Sequence, residues 1–283
     1  MSEIKTYSSR PVGEESRLTA CDLCGSADFQ PHWDCHEFAF VRCLGCGVIY
    51  QNPQPLADLV LKRYDQQYFD YEKSNEASFL QLMRLGLKDI RFERRLGRAG
   101  EGRTFLDIGC ATGMLLEVMK GQGWQVQGVE VCAASASWGR SQRGVEIFPG
   151  TLDEAGFPDK SFDVIHFSHL IEHVNYPRRF MAEVARLVKP SGWVLVTTPN
   201  TDGWQARWFG PHWRSAIADH LYLFSRSNLA QLLTSSGLQL RAFRTWGGLA
   251  RGLGNPLKKA ILDRLVKVLG TGDVMMMAAQ APA

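Results

Sequence analysis

The sequence lacks the features of several protein classes. No apolar run approaches the roughly 20 residues that a membrane-spanning helix requires, and residues 1–17 are polar, unlike a signal peptide. The 32 basic and 29 acidic residues leave a net charge of only +3, so no broad basic field favours nucleic-acid binding. Internal repeats and low-complexity blocks are also absent. These absences favour a cytoplasmic globular protein, and 283 residues suffice for one large α/β domain with a small satellite.

The most informative segment is a glycine turn at residues 104–113, TFLDIGCATG. A short apolar run leads into Asp107, then Gly109 and Gly113, and then an apolar helical stretch. A second strand-like run, at residues 124–130, ends in Glu130. A buried strand, a tight turn and a helix start form a nucleotide-binding edge, and an acid at the tip of the second strand suits ribose hydroxyls.

The spacing of this turn argues against a dinucleotide. It lacks the Gly-x-Gly-x-x-Gly pattern, and Asp107 would repel a phosphate. A carboxylate there suits a cationic ligand such as S-adenosylmethionine. The segment closely resembles the nucleotide turn of class I S-adenosylmethionine-dependent methyltransferases. Ala111 stands where a third glycine is usual, and we expect it to be tolerated unless that backbone needs a positive φ.

The order of the remaining segments extends this resemblance over roughly residues 56–279. Strand-like runs alternate with helical ones, which predicts a Rossmann-like α/β fold with a seven-stranded, mostly parallel sheet. The resemblance implies that S-adenosylmethionine is the cofactor, with adenine along residues 150–153. The positions it implies for cofactor binding are Tyr68, Asp107, Gly109, Cys110, Gly113, Glu130, Thr151, Leu152 and Ser168.

A second strong signal lies upstream, in two knuckles of the form C-x2-C-G. Four thiolates at this spacing can close a tetrahedron around a structural Zn²⁺, with a short hairpin (residues 29–33 and 38–42) between the knuckles. Redox disulfides or free thiols are the alternatives, whereas Cys35 and His36 fit packing or surface positions. Seven cysteines, four of them as zinc thiolates, fit a reducing cytosol better than a secreted disulfide framework. The predicted zinc ligands are Cys21, Cys24, Cys43 and Cys46.

These anchors divide the chain into four parts. They are a polar tail at 1–18, a zinc ribbon at 19–55, a helical cap at 56–100 and the methyltransferase domain at 101–283, which includes a lid at 201–222 and an insert helix at 256–269. That helix carries an apolar face (Leu257, Ile261, Leu265, Val268) and a basic face (Lys258, Lys259, Arg264, Lys267). We expect it to cover a sheet edge, with peripheral contact to an anionic membrane as the alternative.

Methyl transfer requires alignment of acceptor, methyl carbon and sulfur, and removal of a proton from a hydroxyl acceptor. Catalytic groups should follow the carboxyl ends of strands four and five. His169 directly follows the fourth strand, and His220 matches a position where the family regularly has histidine. We predict that one of them is the general base, and the alternative is that each merely caps or packs.

The run His169-Leu-Ile-Glu-His173 has two further interpretations. It matches an inverted zinc-peptidase motif, but its place after a Rossmann-type strand excludes that function. Quinone-pathway O-methyltransferases similar to this chain carry a Glu-x-x-Glu-His divalent-metal site here, which would make His169, Glu172 and His173 ligands. We favour a role in ordering the helix start.

The whole arrangement resembles bacterial small-molecule methyltransferases of sugar and surface-polysaccharide pathways. It predicts transfer to a hydroxyl of a sugar, nucleotide sugar or related metabolite. Aromatic residues after strand five could form acceptor walls or simply pack the lid. The alternatives are an RNA methyltransferase and a non-catalytic zinc-ribbon scaffold, and oligomeric state is undetermined. The aromatic residues are Trp204, Trp208, Phe209, Trp213 and Tyr222.

Overall fold

The computed structural model describes residues 16–96, 102–248 and 256–283, with side chains in the last range from residue 262 onward. Residues 1–15 of the predicted polar tail lie outside the described residues. Five short strands open the described chain and are followed by three helices. They are β1 (Ser16–Arg17), β2 (Phe29–Asp34), β3 (Ala39–Cys43), β4 (Ile49–Gln51), β5 (Gln54–Pro55), α1 (Ala57–Leu61), α2 (Gln66–Asp89) and α3 (Phe92–Leu96).

Strands and helices then alternate to the end of the chain. The elements are β6 (Thr104–Ile108), α4 (Met114–Gly121), β7 (Gln125–Glu130), α5 (Ala133–Arg143), β8 (Glu146–Pro149), β9 (Phe162–Ser168), α6 (Pro177–Leu187), β10 (Val188–Pro199), α7 (Trp204–Phe209), β11 (Tyr222–Leu223), α8 (Arg226–Ser235), β12 (Gln239–Trp246), α9 (Pro256–Leu269) and β13 (Val274–Gln280). Short 3-10 turns occur at Ile171–His173 and Gly210–His212.

Seven of these strands form the central sheet, in the order β12-β13-β10-β9-β6-β7-β8. Neighbours from β10 to β8 run parallel, whereas β13 is antiparallel to both β10 and β12. The predicted Rossmann-like, mostly parallel sheet is therefore confirmed. Its central strands are buried on both faces, which explains their continuous apolar runs. The carboxyl ends of the parallel strands lie at one edge, where a ligand site is expected.

A second sheet joins the N-terminal segment to the rest of the molecule. It has the order β11-β4-β3-β2, and the predicted hairpin is present as β2 and β3. Strand β11 begins at the last residue of the predicted lid and pairs with β4, so Tyr222 lies opposite Tyr50 with stacked rings 5.9 Å apart. The end of the predicted lid is thus part of the N-terminal sheet, and the ring of Tyr222 is fully buried there.

Helix α9 packs against β12, as expected of a helix that covers a sheet edge. Its described half differs from the predicted pattern: Val266 is buried, whereas Leu265 and Val268 are 50% and 79% exposed. Leu257, Lys258, Lys259 and Ile261 have side chains outside the described residues. Within the described ranges, no helix combines the length and apolar character needed to cross a membrane.

Gly139 provides a test of the packing between α5 and the turn after β6. A Cβ built on Gly139 would lie 2.8 Å from the carbonyl oxygen of Thr112 and 2.5 Å from Cδ1 of Ile147. The backbone oxygen cannot move aside, so we expect Gly139→Ala to lower the free energy of unfolding by about 1–3 kcal/mol. Urea denaturation measures this.

Gly121→Ala is the matched control, because Gly121 is also helical and a Cβ there meets nothing within 4 Å. Its expected effect is a small gain, since alanine is favoured over glycine in helices by about 0.5–1 kcal/mol. Equal stabilities of the two variants would contradict close packing at Gly139.

Candidate active site

The turn between β6 and α4 holds three residues in the left-handed region. Gly109 and Gly113 have φ of 69° and 73°, and Ala111 has φ of 47°. Alanine is expected to be tolerated at position 111 unless the backbone needs a positive φ. The Ala111 backbone does adopt a positive φ, so the substitution of alanine for glycine is not free of strain. An alanine in this region carries strain of about 1–2 kcal/mol. The strain is offset locally, since the Ala111 amide donates a 2.8 Å hydrogen bond to Oε2 of Glu130.

Glu130 anchors this turn at the tip of β7. The side chain is 2% exposed, and its other oxygen, Oε1, accepts a hydrogen bond from the amide of Cys132 at 2.8 Å. Burial raises the pKa of Glu130 to about 7, although the amides of Cys132 and Ala111 act in the opposite direction. The carboxyl group thus bridges the turn after β6 and the start of α5, the two walls of the predicted nucleotide edge.

Asp107 lies beside a partner that sequence reasoning missed. It is opposite His166 in the register of β6 and β9, and Oδ1 is 2.7 Å from Nδ1 of His166. Both side chains are almost completely buried, and Nε2 of His166 has no hydrogen-bond partner. The predicted cofactor carboxylate is therefore held in the sheet by a histidine 59 residues away. No local pattern marks this pair.

The other predicted cofactor positions differ in their surroundings. Cys110 is buried, and its sulfur packs close to Gly128 under α4, so only its backbone remains for a ligand. The amide and hydroxyl of Thr151 both donate to Glu154, which leaves the adenine contact to the neighbouring backbone. Leu152 is buried in the core, and Ser168 is half-buried at the end of β9.

Helix α2 lies across this edge of the sheet. Glu76 accepts hydrogen bonds from the Thr112 hydroxyl at 3.0 Å and from Arg143 at 2.8 Å, which attaches α2 to the turn and to α5. Tyr68 is half-buried in the first turn of the helix and meets Tyr64 edge to face.

Glu72, on the same helix, is another residue that sequence reasoning missed. Burial, together with the nearby charge of Glu130, raises the pKa of Glu72 to about 7. The predicted cofactor edge therefore has carboxyl groups on both sides.

The segment after β9 presents a histidine–carboxylate pair. His169 has φ of 53°, and its Nδ1 donates to Oε1 of the fully buried Glu172 at 3.1 Å. Thr198 on β10 donates its hydroxyl to the other oxygen of Glu172 at 2.9 Å. Burial alone would raise the pKa of Glu172, but the His169 hydrogen bond and neighbouring His173 and His220 lower it to about 2. The His169 ring remains 43% exposed, so its Nε2 can meet a ligand.

His220 belongs to the same cluster but has a different environment. The ring is buried and donates from Nδ1 to the carbonyl of Ser215, and burial together with His173 lowers the pKa of His220 to about 3. His173 donates from Nδ1 to the carbonyl of Asp219. Glu172, His173 and His220 have ligand atoms within 4.8 Å of one another. His220 thus takes the place that the sequence assigned to His169 in the possible metal set.

The ribbon sheet supports this cluster directly. The side-chain amide of Gln51 on β4 donates to the carbonyls of Ala218 and His220 at 2.8 and 2.9 Å. The amide of Leu221 in turn donates to the carbonyl of Glu172 at 2.7 Å. The position of His220 therefore depends on the N-terminal sheet.

The four predicted zinc cysteines come together at one end of that sheet. Their sulfurs lie within 4.8 Å of one another, with Cys21 and Cys46 at 3.6 Å and Cys24 and Cys43 at 3.4 Å. These separations are too long for disulfides and suit four thiolates around one tetrahedral ion.

The aromatic residues of the predicted lid divide into two groups. Trp213 and Tyr222 are buried, and Trp213 donates from Nε1 to Asp273 at 2.5 Å, so both serve packing. Trp204 is half-buried, whereas Trp208 is 79% and Phe209 is 42% exposed. The structure therefore does not gather them into one acceptor wall.

The strand order, the glycine turn and the acid at the tip of β7 define a class I methyltransferase. The chain belongs to the methyltransferase domain family, whose model matches residues 81–242. An S-adenosylmethionine-dependent methyltransferase from Thermotoga maritima has the same fold, with a TM-score of 0.53, 20% identity and coverage of 75% of this chain and 97% of that one.

Curated relatives match a shorter part of the chain. The ubiquinone biosynthesis O-methyltransferase of Thiobacillus denitrificans is 35% identical over 105 residues, which cover 35% of this chain and 45% of that protein. The enzyme of the same name from Maricaulis maris is 37% identical over 109 residues, covering 36% and 43%. The chain thus spans less than half the length of these relatives.

The Asp107–His166 pair leads to a double-mutant test. His166→Leu leaves a buried carboxylate without its partner, so we expect a loss of about 3 kcal/mol in the free energy of unfolding. Asp107→Asn should also destabilise the protein. In the double variant the two losses should fall short of additivity by at least about 1 kcal/mol, measured by urea denaturation. Strictly additive losses would show that the two groups are not coupled.

Proposed function

We propose that this protein is an S-adenosylmethionine-dependent O-methyltransferase that acts on a hydroxyl of a small molecule. The observation that carries the proposal is the His169–Glu172 hydrogen bond, located directly beyond β9 at the edge that also holds the glycine turn. A proton acceptor thus lies next to the predicted cofactor site. O-methylation needs this combination, because the acceptor hydroxyl must lose a proton as the methyl group is transferred.

The charge of the cofactor edge supports the choice of cofactor. Asp107 and Glu130 are buried on the sheet side, and Glu72 lies on the α2 side. Such a site favours a ligand that carries positive charge, and S-adenosylmethionine supplies a sulfonium-bound methyl group and an ammonium group when bound. The carboxyl of Glu130 would hold the ribose hydroxyls, while Asp107 would meet the amino-acid portion. Tyr68 and Ser168 would contact the same ligand from opposite sides.

The raised pKa values predict how cofactor affinity depends on pH. Glu130 and Glu72 hold protons up to about pH 7 in the free protein. A bound cation favours their charged forms, so binding releases protons below pH 7. Affinity for S-adenosylmethionine should therefore increase from pH 5.5 toward 7, by up to about tenfold per pH unit for each proton released, and then level off. Calorimetric titration measures this.

S-adenosylhomocysteine is the comparison ligand, since it lacks the sulfonium charge and should give a shallower slope. Glu72→Gln should flatten the slope for S-adenosylmethionine without abolishing binding. Glu130→Ala should abolish binding of both ligands, because it also releases the turn at Ala111. Identical slopes for the two ligands would contradict the role of these carboxyl groups.

The two predicted bases are not equivalent. With a pKa of about 3, His220 is too weak a base at neutral pH, and its ring is buried. His169 is exposed, and the carboxylate of Glu172 fixes the tautomer that leaves Nε2 free. We therefore assign proton removal to Nε2 of His169. His220 has a positioning role, because its Nδ1–H and backbone hold the segment that covers Glu172.

Turnover tests this assignment. His169→Ala should lower kcat by about 100-fold or more, the usual contribution of general-base catalysis, while affinity for S-adenosylhomocysteine stays within about twofold. His212→Ala is the control, since His212 is an exposed histidine that lies outside the Glu172, His173 and His220 cluster. Turnover of His169→Ala equal to that of the control would overturn the assignment.

Two chemical classes of acceptor fit the proposed reaction. The sequence arrangement favours a sugar or nucleotide sugar, whereas the names of the curated relatives favour a precursor in ubiquinone biosynthesis. A screen with methyl-labelled cofactor should therefore contain both sugar hydroxyls and aromatic hydroxyls. Labelling of an RNA pool alone would instead support the RNA methyltransferase alternative, and no cofactor binding would support the scaffold.

A metal-assisted form of the same transfer is a second candidate. Both Nδ1 atoms of His173 and His220 are used by backbone carbonyls, so their Nε2 atoms are available beside Glu172. These three groups could hold a divalent cation, which would lower the pKa of an acceptor hydroxyl. Loss of turnover on chelation, restored by Mg²⁺ or Mn²⁺, would support this form.

We propose further that Zn²⁺ holds the ribbon over residues 19–55, through Cys21, Cys24, Cys43 and Cys46. Its role is structural, because four thiolates leave no open position. The helical cap at 56–100 and the methyltransferase domain at 101–283 complete the proposed organisation. The N-terminal sheet contributes to catalysis indirectly, through the hydrogen bonds of Gln51 to the His220 segment.

A further inference from the structure

A cavity of about 350 Å³ lies at β12, the edge strand of the central sheet. In the strand order, three strands separate β12 from β6, which leads into the glycine turn. Five cationic side chains line it, contributed by α3, α8, β12 and α9. No acidic side chain is among its lining residues. The cations are Arg95, Arg226, Arg241, Arg244 and Lys267.

Of the five cationic side chains that line this cavity, only Lys267 has a carboxylate partner among the ion pairs of the described residues. Lys267 pairs with Asp89 at 2.6 Å. Arg95 and Arg244 donate to backbone carbonyls, and Arg241 donates to the side-chain oxygens of Gln239 and Gln280. Among the ion pairs of the described residues, none gives any of the four arginines a carboxylate partner. The whole chain carries a net charge of only +3, so this cavity concentrates positive charge that the rest of the surface balances.

The contacts also orient the guanidinium groups before any ligand arrives. Arg226 lies over the ring of Phe243 at 4.4 Å, and Arg95 lies over the ring of Trp193 at 5.9 Å. Arg241 is held between two amide oxygens. Stacked and hydrogen-bonded guanidiniums lose less freedom on binding, and their planar donors match the oxygens of a phosphate group.

We propose that this cavity is a binding site for a phosphate-bearing anion. The ligand's phosphate oxygens would be held by Arg226, Arg241 and Arg244. Exposed Val268 and Leu269 at the rim of the cavity provide apolar surface beside the phosphate. Two sources share this chemistry, a soluble phosphate compound and the headgroup of an anionic lipid. Anion binding at this cavity would not depend on methyl transfer.

The test uses the full chain and inorganic pyrophosphate as probe. At constant ionic strength, pyrophosphate should raise the melting temperature and bind in a calorimetric titration, with phosphate weaker and chloride without effect. The double variant Arg241→Gln/Arg244→Gln should bind pyrophosphate at least about tenfold more weakly, because two guanidinium groups are removed. Binding of S-adenosylhomocysteine should be unchanged in this variant, which establishes that it is folded.

The matched control is Arg179→Gln, which removes a 73% exposed arginine on α6 and should leave pyrophosphate binding unaltered. Vesicles of phosphatidylcholine with and without phosphatidylglycerol separate the two sources. Cosedimentation with the anionic vesicles that pyrophosphate reverses identifies a lipid headgroup, and pyrophosphate binding without cosedimentation identifies a soluble ligand. Wild-type pyrophosphate affinity in the double variant, or no binding beyond the effect of ionic strength, would overturn the proposal.

Discussion

The buried carboxylate of Glu172 is the interaction on which the active-site edge depends. A charged group with no exposure is tolerated only when its lone pairs are used, and here they accept from Thr198 on β10 and from His169 beyond β9. The backbone carbonyl of Glu172 accepts from Leu221, which leads into β11 and the N-terminal sheet. One residue therefore joins two central strands, a candidate base and the ribbon.

Carboxyl groups are also buried at the cofactor edge, but there burial raises their pKa values. Glu130 and Glu72 are desolvated and lie near each other, so their pKa values increase and some of their charge is suppressed in the free protein. A cationic ligand would restore that charge. The site is thus poised for a ligand with positive charge, whereas Glu172 already has its partners and stays ionised.

The N-terminal sheet and the segment after β10 meet at β11, which pairs with β4. The strand is only two residues long, yet it brings Tyr222 onto Tyr50 and holds His220 through Gln51. Loss of the ribbon would therefore affect the histidine cluster as well as the stability of the N-terminal segment. The arginine-lined cavity lies at the edge strand β12 of the central sheet, and its lining residues are not among the residues of this network.

Where a signal is local, the amino-acid sequence predicts the structural element and its chemistry. The spacing of Gly109 and Gly113 predicted the turn, alternating segments predicted the parallel sheet, and the cysteine knuckles predicted a four-sulfur cluster. Which side chains come into contact depends instead on how the strands are ordered and packed. His166 reaches Asp107 because β9 lies beside β6, and His220 joins Glu172 because β11 pairs with β4. Periodicity and turn chemistry act over a few residues, whereas strand order and burial depend on the packing of the whole chain.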